Sequence, residues 1–422
     1  MVNNKLKKII AREILDSRGF PTIEVEIEGE FGKVVASVPS GTSTGKYEAL
    51  ELRDGGERYK GMGVLEAIKN INEKIAPILK GGDLTAQKEL DKILIDLDGT
   101  ENKSNLGANA IAAISLAACR AGAVIQKKYL WEWISEIAKT NPAMPTPCIL
   151  FIEGGLHGKG GLDIQEIMVL LEADSFKEKL RLSTEVYHSL GKLIEKKYGK
   201  ISASVGLEGA FTPNITDTEE ALNIIIKAIQ ESGYKKDIKI ILDMAASSFY
   251  QDGKYFFEGD ILTREDMQKY YLNLCKKYPI VGIEDPFSEE DWQGFKELTE
   301  KIGDKVAIIG DDLLVTNIKR IEMAVERKAC NALILKPNQI GTVTEAIAAA
   351  KYAMINDWKV FVKHRSGETK DDFIADLAVG LGTGYIMAGA PSRGERVVKY
   401  NRLLKIEGEL EIKSALNSGE SE

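Results

Sequence analysis

Five apolar runs, IKIILD, PIVGIED, VAIIGDD, ALILK and VFVKH, stop in turn on Asp243, Glu284, Asp311, Lys336 and His364. Continuous branched apolar stretches of this length suit parallel strands buried on both faces. Between 25 and 41 residues separate successive ends, room for one crossover helix per step. The spacing predicts a β/α barrel with its chemistry on the C-terminal rim.

A single Asp after a strand usually caps the next helix, because its oxygen accepts unpaired backbone N–H groups. Five ionisable residues on consecutive strand ends are a different case. Like charges brought together in a buried place are costly unless a cation neutralises them. The pattern therefore predicts a metal site of three acids beside a lysine and a histidine.

Composition narrows the partner. With 56 basic and 64 acidic residues the net charge is −8, and no basic cluster is present, which argues against nucleic acid or a membrane surface as the main partner. A small anionic substrate is expected, held by local positive charge. Cys119, Cys148, Cys275 and Cys330 are too scattered for a disulfide framework or a zinc knuckle. MVNNKLKKIIARE carries no signal-peptide pattern. Free thiols and that N-terminus lead us to expect a cytoplasmic protein. The Ala- and Gly-rich stretch 106–125 is interrupted by Asn109, Ser115 and Arg120, so it reads as a closely packed internal helix, with Arg120 reaching a partner or solvent, and not as a membrane span.

Near the N-terminus, TIEVEIEGEFGKVVAS alternates strictly, placing Ile23, Val25 and Ile27 on one face and Glu24, Glu26 and Glu28 on the other. This is the pattern of a half-exposed antiparallel hairpin. Val64, Ile68, Ile71, Ile75 and Ile78 then recur at helical steps, and 84–97 behaves similarly. The proline-rich NPAMPTP at 141–147 cannot continue a helix. We therefore expect an α+β capping domain over 1–140 and a β/α barrel over 141–422, ending in a frayed polar tail, SGESE.

Two glycine-rich loops are candidate lids. VPSGTSTGK at 38–46 lacks the Walker spacing and is not read as a nucleotide loop. EGGLHGKGG at 153–161 surrounds His157 with glycines, a composition suited to a hinge over a ligand.

The segments DSRG (16–19), SGTSTG (40–45), NKSNLGANAI (102–111), IEDPF (283–287), DDLLVTN (311–317), LKPNQIGT (335–342), HRSGET (364–369) and GAPSRGER (389–396) together resemble the enolase family along the whole chain. The resemblance implies magnesium-dependent conversion of 2-phospho-D-glycerate to phosphoenolpyruvate, and a homo-oligomer. It assigns Asp243, Glu284 and Asp311 to a first Mg2+, Lys336 to general-base and Glu208 to general-acid catalysis, with Glu166 beside that acid. His364, Arg365 and Ser366 would frame the substrate, Arg365 at its phosphate, and His157 and Ser43 would arrive on the lids. Ser43 would also help hold a second Mg2+.

The chemistry suits those residue types. Removing a proton next to a carboxylate leaves two negative charges on one small group. At about 4 Å and an effective dielectric near 20, each neighbouring unit charge contributes roughly 4 kcal/mol, so a dication offers about twice what a lysine does. Hard Mg2+ prefers the oxygens of Asp and Glu. Lys336 must be neutral to accept a proton, and nearby cations would lower its pKa. Glu208 must hold a proton to release hydroxide as water, and a carboxylate such as Glu166 close by favours one shared proton.

Five positions depart from the family pattern. Leu207 stands where GDEGG has Asp. Met387 stands where a lysine normally meets the substrate carboxylate. Glu153 and Leu156 replace the Asn and the Ser or Ala of the histidine lid, and Lys363 replaces a serine. Lys159 or Lys363 are candidates to restore the missing charge, although strand alternation predicts that Lys363 points away from the pocket. Three readings stay open on the sequence: a working enolase, a related lyase acting on another α-proton acid, and a catalytically weakened binding protein.

Overall fold

The computed structural model describes residues 4–158, 160–234 and 238–418. Lys159, and the SGESE tail after its first serine, lie outside them. The alternating segment forms the middle of a three-stranded antiparallel sheet, β1 (Lys8–Leu15), β2 (Pro21–Gly29) and β3 (Gly32–Ser37). Ile23, Val25 and Ile27 are fully buried, while Glu26 pairs with Lys33 at 2.9 Å on the outer face.

The stretch Leu65–Leu79 is helical, but a wider i→i+5 turn interrupts it at Ile71–Ile75. That turn rotates the following residues off the original face. Val64, Ile71 and Ile75 reach the core, and Ile78 is 52% exposed. The helix Ala108–Ile125 packs against the sheet. It is apolar and long enough to cross a membrane by length and composition, yet 83% of it is buried inside the protein. At Gly122 a β-carbon would come 2.6 Å from Trp133 Nε1, which explains the need for a small residue at this contact. Arg120 leaves that helix to bond Asp371 at 2.6 Å and Asp372 at 2.9 Å.

Nine strands make the second sheet: β4 (Thr146–Pro147), β5 (Ile149–Glu153), β6 (Glu166–Leu171), β7 (Ile238–Asp243), then, after the small antiparallel sheet β8 (Tyr250–Gln251), β9 (Lys254–Phe257) and β10 (Asp260–Leu262), β11 (Ile280–Glu284), β12 (Ala307–Gly310), β13 (Ala332–Leu335), β14 (Lys359–Lys363) and β15 (Gly384–Met387). β4 and β5 are two segments of one stave interrupted at Cys148. β4 pairs with β15 and β5 with β6, so the sheet closes on itself.

β7 and β11–β15 run parallel, as their apolar runs predict. The barrel is not parallel throughout, because β6 lies antiparallel to both neighbours. Its first residue, Glu166, therefore stands level with the last residue of β7, Asp243. The crossover helices are capped by Thr263, Asp291, Asn317 and Thr342, whose side chains accept the first free N–H groups. Asp243, Glu284 and Asp311 are left for other work.

Candidate active site

All five strand-end residues converge and are buried: Asp243 is 2% exposed, Glu284 0%, Asp311 7%, Lys336 7% and His364 2%. Lys336 Nζ bonds Asp311 Oδ2. Gln339 donates to the other Asp311 oxygen at 2.9 Å, and Thr316 bridges Gln339 to the Lys336 backbone. Asp285 accepts the backbone N–H groups of Asp311 and Asp312 at 3.0 and 2.7 Å. Burial, then the nearby Asp311 charge, pushes its carboxyl up to about 8. Burial alone would raise Asp311 too, but Lys336 and Lys363 outweigh it and hold Asp311 at about 2.

The same pairing sets the resting state of Lys336 in the metal-free protein. Burial favours the neutral amine, yet Asp311 prevails and the lysine pKa is raised. The ammonium is the resting form, and losing its proton requires Asp311 to be engaged elsewhere.

Lys363 corrects the alternation argument. It is the last residue of β14, still paired with Met387, while His364 lies past the strand end, so strand alternation does not set the direction of one from the other. Its Nζ lies 2.8 Å from Asp243 Oδ2, 2.8 Å from Glu284 Oε1 and 3.2 Å from Glu166 Oε2. Glu284 Oε2 is buried with no hydrogen-bond partner. Three hard carboxylates on adjacent staves, one with an orphaned oxygen, fit a divalent cation of the magnesium type. Asp311 also belongs to a second acid group with Asp285 and Asp312, whose oxygens lie within 4.8 Å of one another.

Another part of the pocket holds His157, Glu166 and Glu208, with ligand atoms within 4.8 Å of one another. His157 Nδ1 is 3.5 Å from Glu208 and 3.7 Å from Glu166. His364 Nε2 lies 3.1 Å from Glu208 Oε2. The buried Arg396 places Nη1 2.6 Å from His364 Nδ1, and a guanidinium can only donate. Nδ1 must then be the acceptor, leaving the proton on Nε2, toward Glu208. Burial, with Arg396 acting in the same sense, lowers the His364 pKa to about 3.

Burial would raise Glu208, but the two imidazoles and Arg396 keep it well below its ordinary value. Glu166 moves the other way: burial first, then Glu208 and Asp243, hold it well above the ordinary carboxylate range against Lys363. The proton of this pair therefore rests on Glu166 and not on Glu208.

The two lids differ in anchorage. Ser40 exchanges backbone hydrogen bonds with Gly367, and Thr42 N–H donates to Ser366 Oγ at 2.7 Å. Arg365 is held by Glu48 at 2.8 and 3.1 Å and by the Ser43 carbonyl at 3.2 Å. Ser43 and His157 line the same pocket as Lys336, Glu208 and Arg365. On the histidine lid Leu156 is 56% exposed and points into solvent.

The departure at Leu207 has a counterpart in Glu153. The Glu153 carboxylate accepts from Glu208 N–H at 3.0 Å and from Ala210 N–H at 3.0 Å, so it clamps the turn that carries the acid. Burial, then Glu208, raises its carboxyl to about 8.

The chain matches the model of the enolase C-terminal TIM barrel domain over residues 141–422 and that of the enolase N-terminal domain over 6–134. The enolase of Methanopyrus kandleri is 50% identical over 412 residues, which cover 96% of each chain.

The chain belongs to the enolase family. It is accordingly a lyase of the phosphopyruvate hydratase type. Within this enolase pocket the sequence reading brought together Asp243, Glu284, Asp311, Lys336, His364, Arg365, Ser366, Glu166, Glu208, His157 and Ser43. It missed Glu48, Gln165, Gln339, Arg396 and the inward course of Lys363. Gln165, which donates to Asp243 at 3.2 Å, had a signal in its place next to Glu166. Glu48 had none, because its partner Arg365 lies far away in sequence, and Arg396 ends the GAPSRGER segment, although its partner His364 lies on another element.

Proposed function

We propose that this pocket performs the magnesium-dependent dehydration of 2-phospho-D-glycerate to phosphoenolpyruvate with Lys336 as general base and Glu208 as general acid. When bound, a divalent ion held by Asp243, Glu284 and Asp311 supplies the positive charge against which the second negative charge develops on the substrate carboxylate. A second ion would be held on the phosphate side with help from Ser43. Lys336, freed from Asp311, takes the proton next to the carboxylate. Glu208 gives a proton to the departing hydroxide, drawing on the one stored by its neighbour Glu166, while His157 on the glycine-rich lid excludes water. Arg365 exchanges Glu48 for the phosphate, and His364 and Ser366 frame the substrate.

One observation carries this reading: base and acid candidates line a single buried pocket together with Asp243 and Asp311. Purified protein given Mg2+ and 2-phosphoglycerate is expected to produce the ultraviolet absorbance of the enol phosphate. Absence of that absorbance, with Mg2+ still raising the melting temperature, would favour another α-proton acid as substrate. We further read the chain as cytoplasmic and homo-oligomeric, with its domains meeting at 140/141. The first two follow the family, and the last follows the proline-rich NPAMPTP segment.

A further inference from the structure

The roles above leave Lys363 without a task, yet its ammonium is among the most heavily engaged groups in the pocket. Three N–H donors are available on an ammonium, and Asp243, Glu284 and Glu166 lie at 2.8, 2.8 and 3.2 Å. The side chain is 3% exposed. On the next stave, Met387 is its register partner and is 1% exposed, so that position brings no charge to the rim. Lys363 also borders a second small cavity behind the pocket, lined by Ser37, Pro39, Pro337, Asn338 and Glu368, which gives its side chain room to move.

A magnesium ion sits about 2.1 Å from its oxygen ligands. An ammonium bridging Asp243 Oδ2 and Glu284 Oε1 occupies the space such an ion needs. We propose that Lys363 is the resident counter-ion of the acid cluster: it holds Asp243 and Glu284 together in the metal-free protein, yields those oxygens to the entering cation, and then serves the substrate carboxylate from one stave over, where Met387 offers no charge. This rests on the magnesium role proposed for Asp243, Glu284 and Asp311.

The test is calorimetric titration of MgCl2 into the parent protein, into Lys363→Met, and into Lys363→Met combined with Met387→Lys. With no ammonium to displace, Lys363→Met is expected to bind Mg2+ roughly tenfold or more tightly and to melt at a lower temperature without the ion. Its turnover of 2-phosphoglycerate should fall roughly ten- to a hundredfold, from the lost charge-assisted contact. The double variant, with the ammonium returned on the adjacent stave, should regain the metal-free melting temperature and part of the turnover. A folded Lys363→Met protein with parental Mg2+ affinity would overturn the proposal. If that variant does not fold, a crystal structure of the Mg2+-loaded parent decides. Nζ withdrawn from both oxygens supports the exchange, and Nζ still bridging them refutes it. A parent that binds no Mg2+ refutes the metal assignment itself, an outcome distinct from one in which the ion binds and Lys363 stays put.

Discussion

Asp311 and Glu166 are both buried carboxylates on the barrel rim, and they are neutralised in opposite ways. Asp311 faces Lys336 and is held ionised, at about 2. Glu166 keeps its proton, even with Lys363 at 3.2 Å. Burial costs a lone charge the same in either place. Lys336 and Lys363 outweigh burial at Asp311, whereas at Glu166 burial and the neighbouring carboxylates outweigh Lys363. The difference separates a part of the pocket built to receive cations from a part built to store a proton.

Removing the lysine of the cationic part should have the largest effect. Lys336→Met is expected to lower turnover by roughly 10²–10⁴-fold, the usual contribution of a positioned base, measured by the enol phosphate absorbance. Next in size, Asp311→Asn leaves the Lys336 ammonium buried without its partner and should cost about 3–5 kcal/mol in the metal-free protein, read by chemical denaturation. Glu166→Gln replaces a neutral acid by a neutral amide and should change stability by under about 1 kcal/mol in the same assay. Equal losses in the two variants would erase the distinction between the carboxylates.

A further effect, read as a pH slope, concerns Glu153. Its carboxyl is raised to about 8 in the folded protein from an ordinary value of 4.5. A raised acid contributes stability that is fully present below its unfolded value and is lost as pH rises through the folded one. Stability should therefore decline between about pH 4.5 and 8. Glu153→Gln should flatten that slope in melting curves taken across the interval, and an unchanged slope would place the titration elsewhere.

Much of this site could be read from the chain because it is written at the ends of strands. An apolar run long enough to be a buried stave announces its own terminus, so Asp243, Glu284, Asp311, Lys336 and His364 were legible as a group. Glu208 and Glu166 were less so, since neither follows such a run. Glu208 sits in a loop, and Glu166 opens β6, whose antiparallel course puts its first residue on the rim. The misplacement of Lys363 shows where strand logic stops. Alternation is a property of the strand, and His364, from which the direction of Lys363 is read, lies one residue past the end of β14.

From its sequence alone this protein has a barrel of apolar staves, a capping unit and a set of acids that need a cation, because apolar periodicity and residue chemistry are local properties of the chain. The tertiary structure alone decides which acid carries the proton, which lysine meets which carboxylate, and which turn Glu153 clamps. Charge states depend on burial and on partners a few ångströms away, and those partners are brought together only when the barrel closes.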